Sequence, residues 1–116
     1  MLSLRLNVDD PEFEALGQLI RDFAGLDFSY DIKHSTSFED DLGITGDDGC
    51  ELLEAVARHY NIELATAEDG YRKTFGLAGD EFLFHSEGVF GGFGEKVHPF
   101  TVGELFAAVQ RARQAS

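Results

Sequence analysis

The segment between residues 38 and 64 constrains the fold of this chain more than any other. It predicts a tight turn followed by an amphipathic α-helix from about Asp47 to Tyr60. At about 100° per residue, one arc of this helix collects six side chains: Cys50, Leu52, Leu53, Val56, Ala57 and Tyr60. The opposite side collects four others: Asp47, Glu51, Glu54 and Arg58. We therefore expect a helix with one face in a core and an acidic face in solvent.

The start of this helix also has a local signature. Thr45 is a residue type that caps helices, and Asp47 and Asp48 would follow in the first turn, where exposed N–H groups favour negative charge. Cys50 falls on the apolar side of the helix. The pattern therefore favours Thr45 as the N-cap, and a packed, inert Cys50 thiol over a nucleophile.

Two further helices are predicted, one on each side of this segment. Asp10 before Pro11 is a strong helix start, and an apolar repeat then continues to Gly25, which predicts a helix over about residues 11–24. Near the other end, Pro99 precedes a threonine, Thr101, with Glu104 three residues later. This spacing predicts a capping box and a final helix that ends by about Gln114.

The connecting segments have weaker patterns. Residues 26–37 alternate like a strand, but we favour an irregular loop with apolar anchors. Residues 65–75 predict a short helical turn around Tyr71 and Phe75 that ends at Gly76. Leu2, Leu4 and Leu6 are consistent with either a short extended segment or a frayed terminus.

Residues 79–96 have a distinct composition, with phenylalanines set among glycines. The alternation at 82–85 and again at Val89-Phe90 predicts a β-hairpin or an aromatic-pinned loop, with Ser86-Glu87-Gly88 near the turn. The side chains between Phe82 and Phe93 are therefore expected either to pack on the core or to line a small apolar pocket.

The segment around α-helix 47–60 and parts of both flanking segments resemble the acyl carrier proteins. Phe38-Glu39-Asp40-Asp41-Leu42-Gly43 is similar to the family's Phe-x-x-Asp-Leu-Gly segment, and the following helix closes on Tyr60-Asn61-Ile62-Glu63. The spacing of Leu19–Gly25, Asp31-Ile32 and Thr36-Ser37 resembles the family's first helix and its connection. Phe100-Thr101-Val102 resembles the entry to its last helix.

The resemblance implies a fold class and also a missing residue. The family's Asp-Ser-Leu, whose serine is attached to the phosphopantetheine arm, corresponds to Thr45-Gly46-Asp47, so Gly46 stands at the attachment position. The chain most resembles a divergent bacterial branch of carrier-like proteins that has Gly-Asp-Asp, here Gly46-Asp47-Asp48, in place of Asp-Ser-Leu. We therefore expect a mainly α, acyl-carrier-like bundle of three main helices over residues 1–116, with an insert at about 66–99. Three amphipathic helices would bury their apolar stripes against one another.

The net charge of the chain limits the classes of partner that it is expected to bind. Nine basic residues against 22 acidic residues give a net charge of −13. Such a surface repels phosphate backbones and anionic headgroups, so a basic protein surface is expected in preference to nucleic acid or membrane. A single cysteine and an N-terminal segment unlike a signal peptide favour the cytoplasm.

The spacing of the candidate metal ligands and nucleophiles does not match the usual metal-binding or enzyme motifs. An EF-hand loop begun at Asp41 would require oxygen ligands where Gly43 and Leu52 stand, so no calcium loop is expected. The four histidines have no zinc spacing, and no nucleophile or phosphate-binding motif occurs. Weak surface binding of a divalent cation by Asp40, Asp41 and their neighbours stays open.

The sequence therefore predicts a non-catalytic, carrier-like protein without cofactor or metal, acting as an acidic interaction or regulatory module. The resemblance implies that the partner-binding residues are Asp47, Glu51, Glu54 and Arg58, because ordinary carriers dock basic partners with this helix. Two alternatives stay open: an unconventional acyl or peptidyl carrier, and a binder of small apolar ligands through the aromatic insert.

Overall fold

The computed structural model describes residues 10–65, 70–77, 81–84 and 96–115, and these residues are mainly helical. The elements in chain order are α1 (Pro11–Ala24), α2 (Gly46–Tyr60), α3 (Arg72–Phe75), β1 (Glu81–Phe82), β2 (Lys96–Val97) and α4 (Val102–Ala115). The chain divides into two compact units, Met1–Ile32 and Lys33–Ser116. None of the helices in the described ranges is long and apolar enough to cross a membrane.

Helix α1 has the predicted bounds and both predicted ends. The Asp10 side chain accepts hydrogen bonds from the backbone N–H groups of Glu12 and Phe13, at 3.1 and 3.2 Å. At the other end Gly25 has a φ of 71°, a left-handed conformation that glycine adopts without a Cβ penalty. The helix buries one stripe of side chains: Phe13, Leu16, Ile20 and Arg21.

The segment after α1 is an irregular loop, as predicted, and a buried arginine holds it. Arg21 is 4% exposed; its Nε donates to the carbonyl of Tyr30 at 2.6 Å, and its Nη1 donates to Glu14 at 3.0 Å. Only Ile32 acts as the predicted kind of apolar anchor. Phe28 is instead 78% exposed, so the alternation of apolar residues in this loop does not mark its buried side chains.

The second unit is built around α2 and α4, which contact each other, and α3, which contacts α4. The C-cap of α2 is Asn61, which has a φ of 56°, and the C-cap of α3 is Gly76, the predicted stop. Their apolar faces supply most of the core of this unit. Its largest fully buried side chains are Phe38, Leu52, Leu53, Val56, Val102, Leu105 and Val109.

The start of α4 is closed by several hydrogen bonds. The Thr101 hydroxyl accepts from the Glu104 N–H at 3.3 Å, which is one half of the predicted capping box. The other half is not formed, because Glu104 Oε2 lies 2.8 Å from His98 Nε2 and Oε1 has no hydrogen-bond partner in the described part of the chain. The N–H of Val102 donates to the Thr36 carbonyl at 2.9 Å, and the N–H of Gly103 donates to the His34 carbonyl at 2.9 Å. These bonds satisfy three of the donors that a helix leaves open at its first turn.

The two strands differ from the predicted hairpin. Glu81 and Phe82 pair with Lys96 and Val97 in parallel, whereas the strands of a hairpin are antiparallel. The predicted turn at 86–88, the predicted partner strand at Val89-Phe90 and the extended segment at 2–6 lie outside the described residues.

Four phenylalanine rings from separate segments meet in the second unit. Phe100 is central: its ring centroid lies 4.8 Å from that of Phe38, 4.8 Å from that of Phe75 and 5.7 Å from that of Phe84. These are distances at which aromatic rings attract each other. Phe84, from the insert, is therefore part of the core of this unit.

Candidate functional site

The acidic surface of α2 is exposed as the sequence predicted. Four exposed side chains, hereafter the α2 acidic face, are the predicted partner-binding residues: Asp47, Glu51, Glu54 and Arg58. Leu52, Leu53 and Val56 on the other side are fully buried. The two faces are therefore separated as expected, with three carboxylates and one guanidinium available to solvent.

Thr45 stands at the N-cap position of α2, but the prediction that its side chain caps the helix is wrong. Its hydroxyl donates to the Glu39 carboxylate instead, and its side chain makes no capping hydrogen bond to α2. A hydroxyl can donate and accept at the same time, so the bond to Glu39 does not use up the lone pairs that a cap needs. The reason is the direction of the side chain, because the turn that precedes α2 brings the Glu39 carboxylate to the hydroxyl and a charge-assisted hydrogen bond holds it there.

Gly46, the first residue of α2, has a φ of 56°. This is the left-handed region, where a residue with a Cβ is strained by roughly 1–2 kcal/mol. A serine at this position would therefore have to accept the strain or change the way in which the helix begins.

Gly49 is a feature that our sequence analysis missed. A Cβ at this position would lie 2.5 Å from the ring of Phe84, closer than real Cβ contacts come. At about 100° per residue, Gly49 falls near the centre of the buried arc of α2. Its lack of a side chain lets the insert cover the start of this helix, and the only sequence signal was a glycine in mid-arc.

Cys50 is exposed, so the prediction of a packed thiol is wrong. It falls at the edge of the apolar arc, whereas Gly49 and Phe84 occupy the centre. Partial burial raises the pKa of the Cys50 thiol, and the negative charges of Asp47 and Glu54 raise it further. Burial likewise raises the pKa of Tyr71, with smaller contributions from Cys50 and Glu54. The thiol is accessible, and its reactive thiolate form is disfavoured.

A cleft of about 260 Å³ lies elsewhere in the second unit. We call it the carboxylate cleft, since two carboxylates line it beside apolar side chains. Its lining residues are Ser37, Glu39, Asp40, Leu83, Val97, His98, Pro99, Phe100 and Thr101. Sequence reasoning missed this cleft because its residues come from three separate stretches of the chain.

His98 on the cleft wall lies between two further carboxylates. Its Nε2 is 2.8 Å from Glu104 Oε2, and its Nδ1 is 3.9 Å from Glu81 Oε1. The second carboxylate oxygen of Glu104 is buried and has no hydrogen-bond partner in the described part of the chain. This arrangement ties the end of β2 to β1 and α4.

The described residues contain no cluster of three or more His, Cys, Asp or Glu side chains that could hold a metal ion. Among the acidic residues of the 38–48 segment, one oxygen of Asp41 accepts the N–H of Ser37 at 2.7 Å. That carboxylate therefore has a structural role in the turn before α2. Weak surface binding of a divalent cation stays a prediction.

Comparison with protein-family models, with curated proteins and with solved structures finds no match to this chain. The geometry of the second unit is therefore the basis for a proposed function.

Proposed function

We propose that this protein is a non-catalytic, acyl-carrier-like module that lacks the arm-attachment residue and docks a basic protein through the α2 acidic face. The observation that supports this most is the exposure of Asp47, Glu51 and Glu54 together on one side of α2. Charged side chains that cluster on an exposed helix face steer oppositely charged partners and fix their register. The net charge of −13 adds a long-range attraction for basic surfaces.

The start of α2 favours this proposal over an active carrier. The resemblance puts Gly46 at the attachment position, and glycine has no hydroxyl to which an arm could be joined. The left-handed φ of Gly46 adds a backbone reason, since a side chain there would be strained. Thr45, the nearest hydroxyl, is hydrogen-bonded to Glu39.

The docking role is tested by reversing the charge of the α2 acidic face. A triple variant with Asp47→Lys, Glu51→Lys and Glu54→Lys should fold, because all three side chains are exposed and such changes usually cost within about 0.5 kcal/mol each. It should lose the basic partners that wild type retains in a pulldown from a lysate of the source organism. The matched control reverses Glu12, Asp22 and Asp31, which are exposed in the first unit. A partner set that survives the α2 reversal would contradict the proposal.

The absence of the arm is tested by intact mass. Wild-type protein incubated with coenzyme A and a broad-specificity phosphopantetheinyl transferase should gain no mass. The Gly46→Ser variant supplies the missing hydroxyl, and a gain in mass there would support the carrier-like scaffold. An arm on wild type would favour the unconventional-carrier alternative instead.

A further inference from the structure

The carboxylate cleft is a concave site that the α2 acidic face does not use. At about 260 Å³ it is smaller than the roughly 300–1,000 Å³ of pockets that take drug-sized ligands. A cleft of this size suits one long side chain or a very small molecule.

The lining of the cleft has two distinct parts. Leu83 and Phe100 are buried core residues that, with Val97, give it an apolar wall. Glu39 and Asp40 supply negative charge, and the described lining residues include no lysine or arginine. An apolar wall beside carboxylates matches an alkyl chain that ends in a positive charge.

The neighbouring hydrogen bonds define where that charge would lie. The Thr45 hydroxyl that does not cap α2 donates to Glu39 and so orients its carboxylate. Asp40 is exposed, and its backbone N–H donates to the Ser37 hydroxyl at 3.1 Å. The carboxylates of Glu81 and Glu104 lie beside His98, which lines the cleft, and add negative potential near it.

We propose that the carboxylate cleft binds a lysine side chain of the partner protein, with its alkyl stem on the apolar wall and its ammonium at Asp40 and Glu39. This inference rests on the proposed function for one point only, that the partner is a basic protein. The cleft then recognises one residue of the partner, while the α2 acidic face provides general attraction.

The test uses a capped lysine, Nα-acetyl-lysine-N-methylamide, titrated into the full-length protein while amide chemical shifts are recorded by NMR. The signals of Asp40, Val97 and Thr101 should move and saturate. Capped norleucine has a similar alkyl stem without the ammonium, and it should produce no saturating shifts. If neither probe binds, or if norleucine binds as well as lysine, the proposal is wrong.

A variant assigns the binding to the cleft. Asp40→Asn should weaken the affinity for capped lysine by roughly two- to fivefold, as expected for an ion pair that is partly in solvent. Asp48→Asn removes the same charge from the exposed first turn of α2 and should leave the affinity unchanged. Equal effects of the two variants would show that only net charge matters and would overturn the cleft assignment.

The α2 triple reversal separates this inference from the proposed docking role. It leaves every lining residue of the cleft intact, so the shifts at Asp40, Val97 and Thr101 should still saturate with capped lysine. If those local shifts disappear with the reversal, the cleft is not an independent site. If the reversal removes the partners in the pulldown but the local shifts still saturate with capped lysine, the lysine site is supported independently of the docking role.

Discussion

Helices α2 and α4 begin differently, although each has a threonine immediately before its first residue. At α4 the Thr101 hydroxyl caps the helix, and two carbonyl groups from residues 34 and 36 accept the remaining N–H groups. At α2 the Thr45 hydroxyl binds Glu39, and the ring of Phe84 lies on Gly49. The same residue type therefore accepts a hydrogen bond from its helix at α4 and donates one to a neighbouring carboxylate at α2.

The difference shows what decides a helix start in this protein. At α4 the local cap and the distant carbonyl groups support the same geometry. At α2 the Thr45 hydroxyl donates to Glu39, which lies only six residues earlier, and the contribution of a distant segment is the packing of the Phe84 ring on Gly49. We therefore expect the start of α2 to depend on tertiary packing and the start of α4 to depend more on its cap.

The largest expected effect comes from removing the ring that covers α2. Phe84→Ala should lower the free energy of unfolding by about 3–5 kcal/mol, because Phe84 is buried among other aromatic rings. Urea unfolding followed by circular dichroism measures the change. The control, Phe28→Ala, affects a ring that is 78% exposed and should stay within about 0.5 kcal/mol. Similar values for both variants would rule out Phe84 as a core residue.

A pair of glycine substitutions compares the two helix starts directly. Gly49→Ala and Gly103→Ala should each cost about 1–3 kcal/mol, since the new Cβ would lie 2.5 Å from the Phe84 ring in one case and 2.8 Å from the His34 carbonyl oxygen in the other. The unfolding free energies from urea titrations give both values.

The two contacts should respond differently to a second substitution. Phe84→Leu should relieve part of the Gly49→Ala clash, giving a coupling energy of about 0.5–3 kcal/mol in a double-mutant cycle. His34→Ala should relieve much less of the Gly103→Ala clash, because its closest contact is a backbone oxygen that the substitution keeps. Equal coupling in the two cycles would contradict this contrast.

Substitutions of the two threonines compare the N-cap positions of α2 and α4, with smaller expected changes in stability. Thr101→Ala should cost about 0.5–2 kcal/mol, and Thr101→Asp should recover most of it, because aspartate is a good N-cap. Thr45→Asp should instead cost about 1 kcal/mol, since Glu39 loses its hydroxyl donor and gains a like-charged neighbour. Thermal unfolding of the three variants tests this. A stabilising Thr45→Asp would show that a capping carboxylate at this position outweighs the lost bond to Glu39, and it would contradict the contrast between the two helix starts.

The smallest effect is on the chemistry of Cys50 and not on stability. Burial raises the pKa of this thiol, and Asp47 and Glu54 raise it further. A raised pKa leaves less thiolate at pH 8, so iodoacetamide should alkylate Cys50 more slowly than the uncharged reference Nα-acetyl-cysteine-N-methylamide there, with a rate midpoint at higher pH. Glu54→Gln should speed the reaction. A midpoint at or below that of the capped cysteine would contradict the raised pKa.

The features that the sequence predicted well are local ones. Asp10, Pro11 and Gly25 bound α1 as expected, and the apolar arc of α2 buries Leu52, Leu53 and Val56. These outcomes depend on neighbouring residues and on helical periodicity, both of which a sequence displays. The exposure of the α2 acidic face follows from the same periodicity.

The features that sequence analysis missed depend on residues brought together by folding. The 35-residue separation between Gly49 and Phe84 carries no periodic signal, and the exposure of Cys50 follows from that packing. The carboxylate cleft likewise combines residues near 38, 83 and 98. Such contacts become visible only when the path of the chain is known.

The parallel pairing of β1 and β2 limits how the chain could be shortened. Strands that run in the same direction need a crossover of about a dozen residues or more between them, whereas antiparallel strands need only a two-residue turn. Thirteen residues, 83–95, join β1 to β2, which is close to that minimum. Insertions here should therefore be tolerated far better than deletions, and related chains should vary in this connection by growing longer.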